Sequence, residues 1–234
     1  MIKVYPAESR FNANHGWLQS YFSFSFAEYY DPTNMNFGPM RVLNDDTVQP
    51  KEGFGDHPHR EMEIVTIVLK GQLQHRDSVG NTEILRFGEV QRMTAGTGVI
   101  HSEVNPSETE EVNLLQMWFE PMQRGLHPSY EQKAYNKSDM KNRLLPVVSN
   151  QHHSENVTHI HQDMTIYLSE LDAGSSLSFT QAPNRRIFFF VIEGEVNLNQ
   201  TDKLKRRDSA RITATPTLDI QTDTGAFIML IDLP

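Results

Sequence analysis

Short apolar runs separated by Gly, Asn, Asp and Pro recur along the chain at strand-like intervals, and few stretches sustain a helical period. The pattern predicts an all-β protein. Ile64–Leu69, Leu114–Phe119, Met164–Leu168, Ile187–Ile192 and Phe227–Ile231 are the clearest strands, each rich in β-branched or aromatic residues. Lys70-Gly71 and Glu193-Gly194 follow apolar runs, and Ser78-Val79-Gly80-Asn81 separates two strand-like segments; at each, glycine supplies the positive φ of a tight hairpin. Tyr130 to Arg143 is polar, has little strand pattern, and reads as a link between two halves. Those halves resemble each other. Ile64 to Leu73 and Ile187 to Val196 share one plan: an apolar strand, a charged residue, a glycine and a new alternating strand. The offset is domain-sized, which predicts two barrels in tandem, residues 1–130 and 131–234, each hiding its strand edges by closing a sheet or packing it on another.

Composition narrows the chemistry. A chain of 234 residues has room for two domains of roughly 100–150 residues each. Its 38% hydrophobic and 22% charged content is that of a soluble globular protein. The formal net charge of −9 argues against nucleic acid as the main partner, because phosphate binding needs a basic face. The one basic cluster, Lys203, Lys205, Arg206 and Arg207, reads as a solvated turn. Cysteine is absent, so any metal must be held by histidine and carboxylate. Residues Met1 to Arg10 lack the apolar core of a secretory signal and no run has the length of a membrane span, so a cytoplasmic location is expected.

Two pieces stand out: His57-Pro58-His59 and His101-Ser102-Glu103. Residues two apart on a strand point to the same face, so each piece offers two donors to one point. Either alone is weak. Together, on neighbouring strands, they give three imidazoles and one carboxylate, a set suited to Fe, Mn, Co, Ni, Cu or Zn. Facing these groups into a small barrel without a cation strands polar groups and a charge in the interior.

Gly53-Phe54-Gly55-Asp56-His57-Pro58-His59-Arg60-Glu61-Met62-Glu63, ending at Gly71, resembles the first cupin motif. Gly88 through Gly96-Thr97-Gly98-Val99-Ile100-His101-Ser102-Glu103 is similar to the second, with Gly96 where proline is usual and a slightly longer spacing from Gly88. Those departures match the pirin family. The likeness extends over Gly16-Trp17, Phe24 to Pro32, Arg41 to Asp46, Gln74 to Ser78 and the closing Leu230-Ile231-Asp232-Leu233-Pro234. It is closest to bacterial pirin-like quercetin 2,3-dioxygenases, which implies an all-β bicupin of two jelly-roll-type barrels with metal in the N-terminal one only. The resemblance implies His57, His59, His101 and Glu103 as metal ligands; iron is the expected ion, and a carboxylate beside the metal gives Glu103 a second role as catalytic base. Ordinary cupins take their carboxylate from the place of Glu63, which lies an even number of residues from His57 and His59; here it is left to support a ligating imidazole by a hydrogen bond. His159-Ile160-His161 and His152-His153 are not read as a second centre, since no His-x-Glu follows and the repeat offset lands on Thr180, Ala182, Thr224 and Ala226. His15, His75 and His127 stand alone and read as hydrogen-bonded or exposed side chains; Met117 and Trp118 read as core or pocket wall.

Four protein ligands leave one or two positions open on a five- or six-coordinate metal. The family implies a flavonol substrate and O2, with opening of the heterocycle and release of carbon monoxide. It also implies an alternative, a metal-dependent regulatory protein that binds other proteins; a third reading is a cupin isomerase or an orphan catalyst of another small-molecule reaction, because fold does not fix function. A monomer is expected.

Overall fold

A computed structural model describes residues 1–234. Apart from short 3₁₀ turns at Ala7–Ser9 and Lys137–Met140, every regular element is a β-strand. No helix is long and apolar enough to cross a membrane. The chain divides into two compact units, residues 11–135 with 158–162, and residues 1–10 with 136–157 and 163–234.

The first unit is built from two antiparallel sheets. One has seven strands in the order Ser129–Ala134, Glu89–Thr94, Glu63–Lys70, Val112–Phe119, Met40–Val48, Leu18–Phe22, Phe11–Asn14. The other has four, in the order Gly53–His59, Val99–Val104, Gln72–Asp77, Thr82–Arg86. Ile64, Val65, Ile67 and Val68 are fully buried, as the continuous apolar run of a central strand requires. Val68, Val112 and Leu114 of the larger sheet pack against Leu73 and Leu85 of the smaller, and each such side chain contributes about 1.5–3 kcal/mol when fully buried. The segment read as a polar link, Tyr130 to Arg143, begins as an edge strand paired with Glu89–Thr94. Its half-buried pattern is that of an edge, which apolar periodicity does not reveal.

Of the expected hairpins, Ser78 to Asn81 is one: it joins paired strands, with Gly80 at φ 104°. Lys70-Gly71 is instead a corner, because the strands on either side of it belong to different sheets. Gly71 has φ 75°, and a Cβ there would lie 2.7 Å from the carbonyl oxygen of Glu111.

In the second unit the main ladder runs Ile2–Tyr5, Ser209–Thr213, Arg186–Leu198, Ala226–Leu233, Thr165–Leu171, Leu145–Ser149. The 13-residue strand Arg186–Leu198 bulges between Val191 and Glu193, and its far end pairs with Asp202–Lys205 and Thr217–Gln221. Gly194, at φ 80°, sits in this bend as Gly71 does in the first unit. Ile187, Phe189, Val191, Leu204, Ile220 and Leu230 share the core. The basic cluster is a paired turn, with Lys203 on Glu195 at 2.8 Å and Arg206 on Glu193 at 2.7 Å.

Candidate metal centre

The four-stranded sheet brings the sequence-predicted residues together through register. His57 lies opposite His101 and His59 opposite Val99 on antiparallel neighbours, so the two-residue alternation of each strand aims three imidazoles at one point. Ring centroids are 4.4 Å apart for His57 and His101, and 4.8 Å for both His57–His59 and His59–His101. A donor nitrogen from each lies within 4.8 Å of the other two. At the other end of the same strand pair Gly53 permits close approach: a Cβ there would sit 2.3 Å from the carbonyl oxygen of Glu103.

The rings are held from outside the cluster. His57 Nδ1 donates to the carbonyl of Gly55 at 2.7 Å, which leaves its Nε2 lone pair facing inward, 3.0 Å from His101 Nε2. Trp118 stands edge-on to His59 at 4.8 Å. Burial, followed by the neighbouring His101 and His57, lowers His59 to about 4. Burial, followed by His57 and His75, lowers His101 to about 3. Both are therefore neutral donors at pH 7, the form a metal needs. Inward lone pairs on converging neutral imidazoles are a donor set that a divalent transition metal fits.

Glu103 is buried, and a β-bulge between it and His101 places it opposite Phe54. Its Oε2 accepts from Gln116 Nε2 at 2.6 Å, while Trp118 Nε1 donates to Gln116 Oε1 at 3.1 Å and so orients that amide. Glu103 forms a second cluster of donors within 4.8 Å of one another, with His101 and with His75. His101 is thus common to both clusters. The sequence marks His75 only as a hydrogen-bonded or exposed histidine; it is buried and bonded to Asp77, at 3.0 Å. The available signal was its alternation with Asp77 along Gln72–Asp77.

Glu63 does not support a ligating imidazole. It accepts from the backbone amide of His161 at 3.1 Å and faces His161 Nδ1 at 3.4 Å. The even spacing from His59 loses its meaning because the chain turns at Glu61, φ 51°, and Glu63 opens a strand of the other sheet. His159 and His161 join no metal-capable cluster.

A cavity of about 430 Å³ opens on the imidazoles, within the roughly 300–1,000 Å³ of small-molecule sites. Trp17, Phe22, Phe26, Phe54 and Trp118 wall it; Ser20, Asn44, Asp46, Glu103 and Gln116 supply polar groups. Trp118 is therefore pocket wall, as its sequence suggests. Burial, opposed by the Ser20 hydrogen bond and aided by Asp45 and Glu103, raises the Asp46 carboxyl from 3.8 to about 7.

Asp46→Asn is expected to stabilise the metal-free protein more as pH rises. The unfolded chain loses this proton near its ordinary value while the folded chain keeps it to about 7, so stability falls across that window and the deficit is complete above it. The amide accepts the same Ser20 hydrogen bond without a charge. The gain is about 2–4 kcal/mol at pH 8, at roughly 1.4 kcal/mol per pH unit, and close to nothing at pH 4. Melting temperatures at the two pH values measure it; a difference independent of pH would refute it.

Comparison with known proteins accords with this geometry. Residues 5–119 match the Pirin family and residues 147–233 the quercetinase C-terminal cupin domain. A quercetin 2,3-dioxygenase of Escherichia coli K12 is 40% identical over 234 residues, covering 100% of this chain and 99% of the relative. A pirin-like protein of Caulobacter vibrioides is 35% identical over 232 residues, covering 99% of each. The crystal structure of YhhW from Escherichia coli superposes with a TM-score of 0.95 at 40% identity, covering 100% of this chain and 98% of that one. A structure of the same bacterial pirin in complex with nickel(II) superposes at 0.94, covering 100% and 99%. An all-β chain with a histidine cluster on its four-stranded sheet, matched end to end by these relatives, belongs to the pirin family and has the bicupin fold.

Proposed function

We propose that His57, His59, His101 and Glu103 hold one divalent transition metal, and that the protein is a metal-dependent dioxygenase opening the heterocycle of flavonols such as quercetin. The observation that carries this is the aromatic-walled cavity, which ends on the imidazole cluster beside a buried carboxylate. Trp17, Phe22, Phe26 and Trp118 offer faces and edges to a fused ring system. Glu103 is placed to take the 3-hydroxyl proton, with Gln116 holding its other oxygen. Bound metal supplies a positive charge that stabilises the flavonolate and open positions for exchangeable ligands. Quercetin and O2 together account for all atoms of the products, a depside and carbon monoxide. The family names of the relatives support this substrate class. Iron is the expected ion; the related bacterial pirin has been seen with nickel(II), and the His and Glu donor set suits several first-row metals.

The test is direct. Protein loaded separately with Fe, Mn, Co, Ni or Cu is mixed with quercetin in air. Bleaching of the flavonol absorbance with one O2 consumed and one carbon monoxide released per quercetin is the expected result with at least one of these metals. No turnover with any of them would overturn the enzymatic reading and leave a metal-binding protein.

A further inference from the structure

Behind His101, on the side away from His57, lies a second imidazole and then a carboxylate. Val99–Val104 is flanked on that side by Gln72–Asp77, with Glu103 opposite His75 and His101 opposite Asp77. His101 Nδ1 is 3.5 Å from His75 Nδ1, and His75 Nε2 is 3.0 Å from Asp77 Oδ2. The side chains of His75 and Asp77 are fully buried. Asp77 is locked in turn: its Oδ1 accepts the amides of Val79 and Asn81, both at 3.0 Å, and its Oδ2 accepts Asn81 Nδ2 at 2.8 Å. Tyr130 stacks on the His75 ring at 4.7 Å.

Counting protons along this line fixes its logic. It runs Gly55 oxygen, His57, His101, His75, Asp77 oxygen, with four polar contacts between successive groups. Both ends are oxygens that only accept, and each contact needs one proton. With each ring in its uncharged form, three imidazoles carry three. The hydrogen of His75 must sit on Nε2 to reach Asp77, which leaves Nδ1 as an acceptor. The hydrogen of His101 must then sit on Nδ1. Gly55 fixes His57 the same way from the other end, so the contact left without a proton is His57 Nε2 to His101 Nε2, the place where the cluster converges.

We infer that Asp77 and His75 are positioning residues for the metal, which set the tautomer of His101 so that its Nε2 lone pair, rather than an N–H, faces the ion. This rests on the reading of His101 as a ligand. A hydrogen-bonded outer partner both orients an imidazole and raises its basicity; here the partner is itself an imidazole backed by a carboxylate.

Asp77→Asn tests the relay and keeps the turn's backbone contacts, since the amide oxygen still accepts from the Val79 and Asn81 amides, while the Asn81 side chain must flip to offer its oxygen to the new nitrogen. Its nitrogen replaces the acceptor facing His75, so the His75 hydrogen moves to Nδ1 and opposes the one on His101. His75→Phe keeps a ring against Tyr130 and removes the acceptor; His75→Asn restores an acceptor near the Nδ1 position. Zn2+ affinity, measured by competition with a chromophoric chelator, is expected to fall about 10–100-fold in Asp77→Asn and His75→Phe, with partial recovery in His75→Asn. Imidazole 15N shifts of the zinc-loaded wild type should show His75 protonated on Nε2, moving to Nδ1 in Asp77→Asn, a change that loss of packing alone does not produce. Wild-type zinc affinity in Asp77→Asn, with His75 still protonated on Nε2, would overturn the relay. If that occurs while His101→Ala loses zinc, only the relay fails; if His101→Ala also binds like wild type, the ligand assignment beneath it fails too.

Discussion

His101→Ala is expected to fold and to lose the metal almost completely. His101 is the member shared by both donor clusters, adjacent to His57, His59 and His75, so its removal takes out the centre of the arrangement. The loss in affinity should exceed the roughly 10–100-fold that follows from altering an outer partner. Folding is a separate matter. Burial holds His101 well below the ordinary imidazole range, at about 3, so the native protein must keep it neutral. Stability from that neutral form is complete above about 6.5 and lost as pH falls below it, because the unfolded chain takes up a proton the folded one does not. At pH 7.5 its truncation therefore removes no charge; the cost is the buried packing of the ring and its contact with His75. Two measurements at that pH separate the effects. Elemental analysis after dialysis should give about one metal per wild-type chain and little in the variant. Added metal at about 100 times its dissociation constant should stabilise wild type by about 2.7 kcal/mol and the variant by almost nothing. Full metal content in His101→Ala would sink the ligand assignment.

What could be read from the chain follows from how local each feature is. His57, His59 and His101 were legible because alternation on a strand is a property of two or three residues, and the register that joins the strands leaves both pairs on one face. The prediction for Glu63 extended that parity through Arg60 to Met62, where the backbone turns into the other sheet. Parity holds only while a strand continues. His75 and Asp77 escape a reading of the sequence for the opposite reason: their alternation is plain, but their partner His101 is reached across a pairing of distant segments. Gly71 was recognised as a positive-φ position, yet a corner between sheets and a hairpin demand the same residue, and only the pairing distinguishes them. The strand Ile2–Tyr5 likewise pairs with Ser209–Thr213 at the far end of the chain, a contact that no window of sequence contains.

The second large effect is expected from Glu103→Gln. The amide preserves size and can still place an oxygen toward Gln116 Nε2, which donates to this position at 2.6 Å, but it carries neither charge nor basicity. Three imidazoles remain, so much of the metal should stay. Turnover of quercetin should fall by about 10²–10⁴-fold, the usual contribution of a positioned acid or base, with flavonol binding reduced far less. Glu103→Asp keeps the charge and withdraws it from Gln116 by one methylene, so it should retain more activity than the amide variant. The pH dependence then separates the two duties given to Glu103. At alkaline pH the flavonol ionises without help; a base becomes dispensable there and the deficit of Glu103→Gln should shrink. A deficit that stays constant would make Glu103 a ligand only and hand proton removal to another group in the cavity, such as Asp46, whose carboxyl burial raises to about 7.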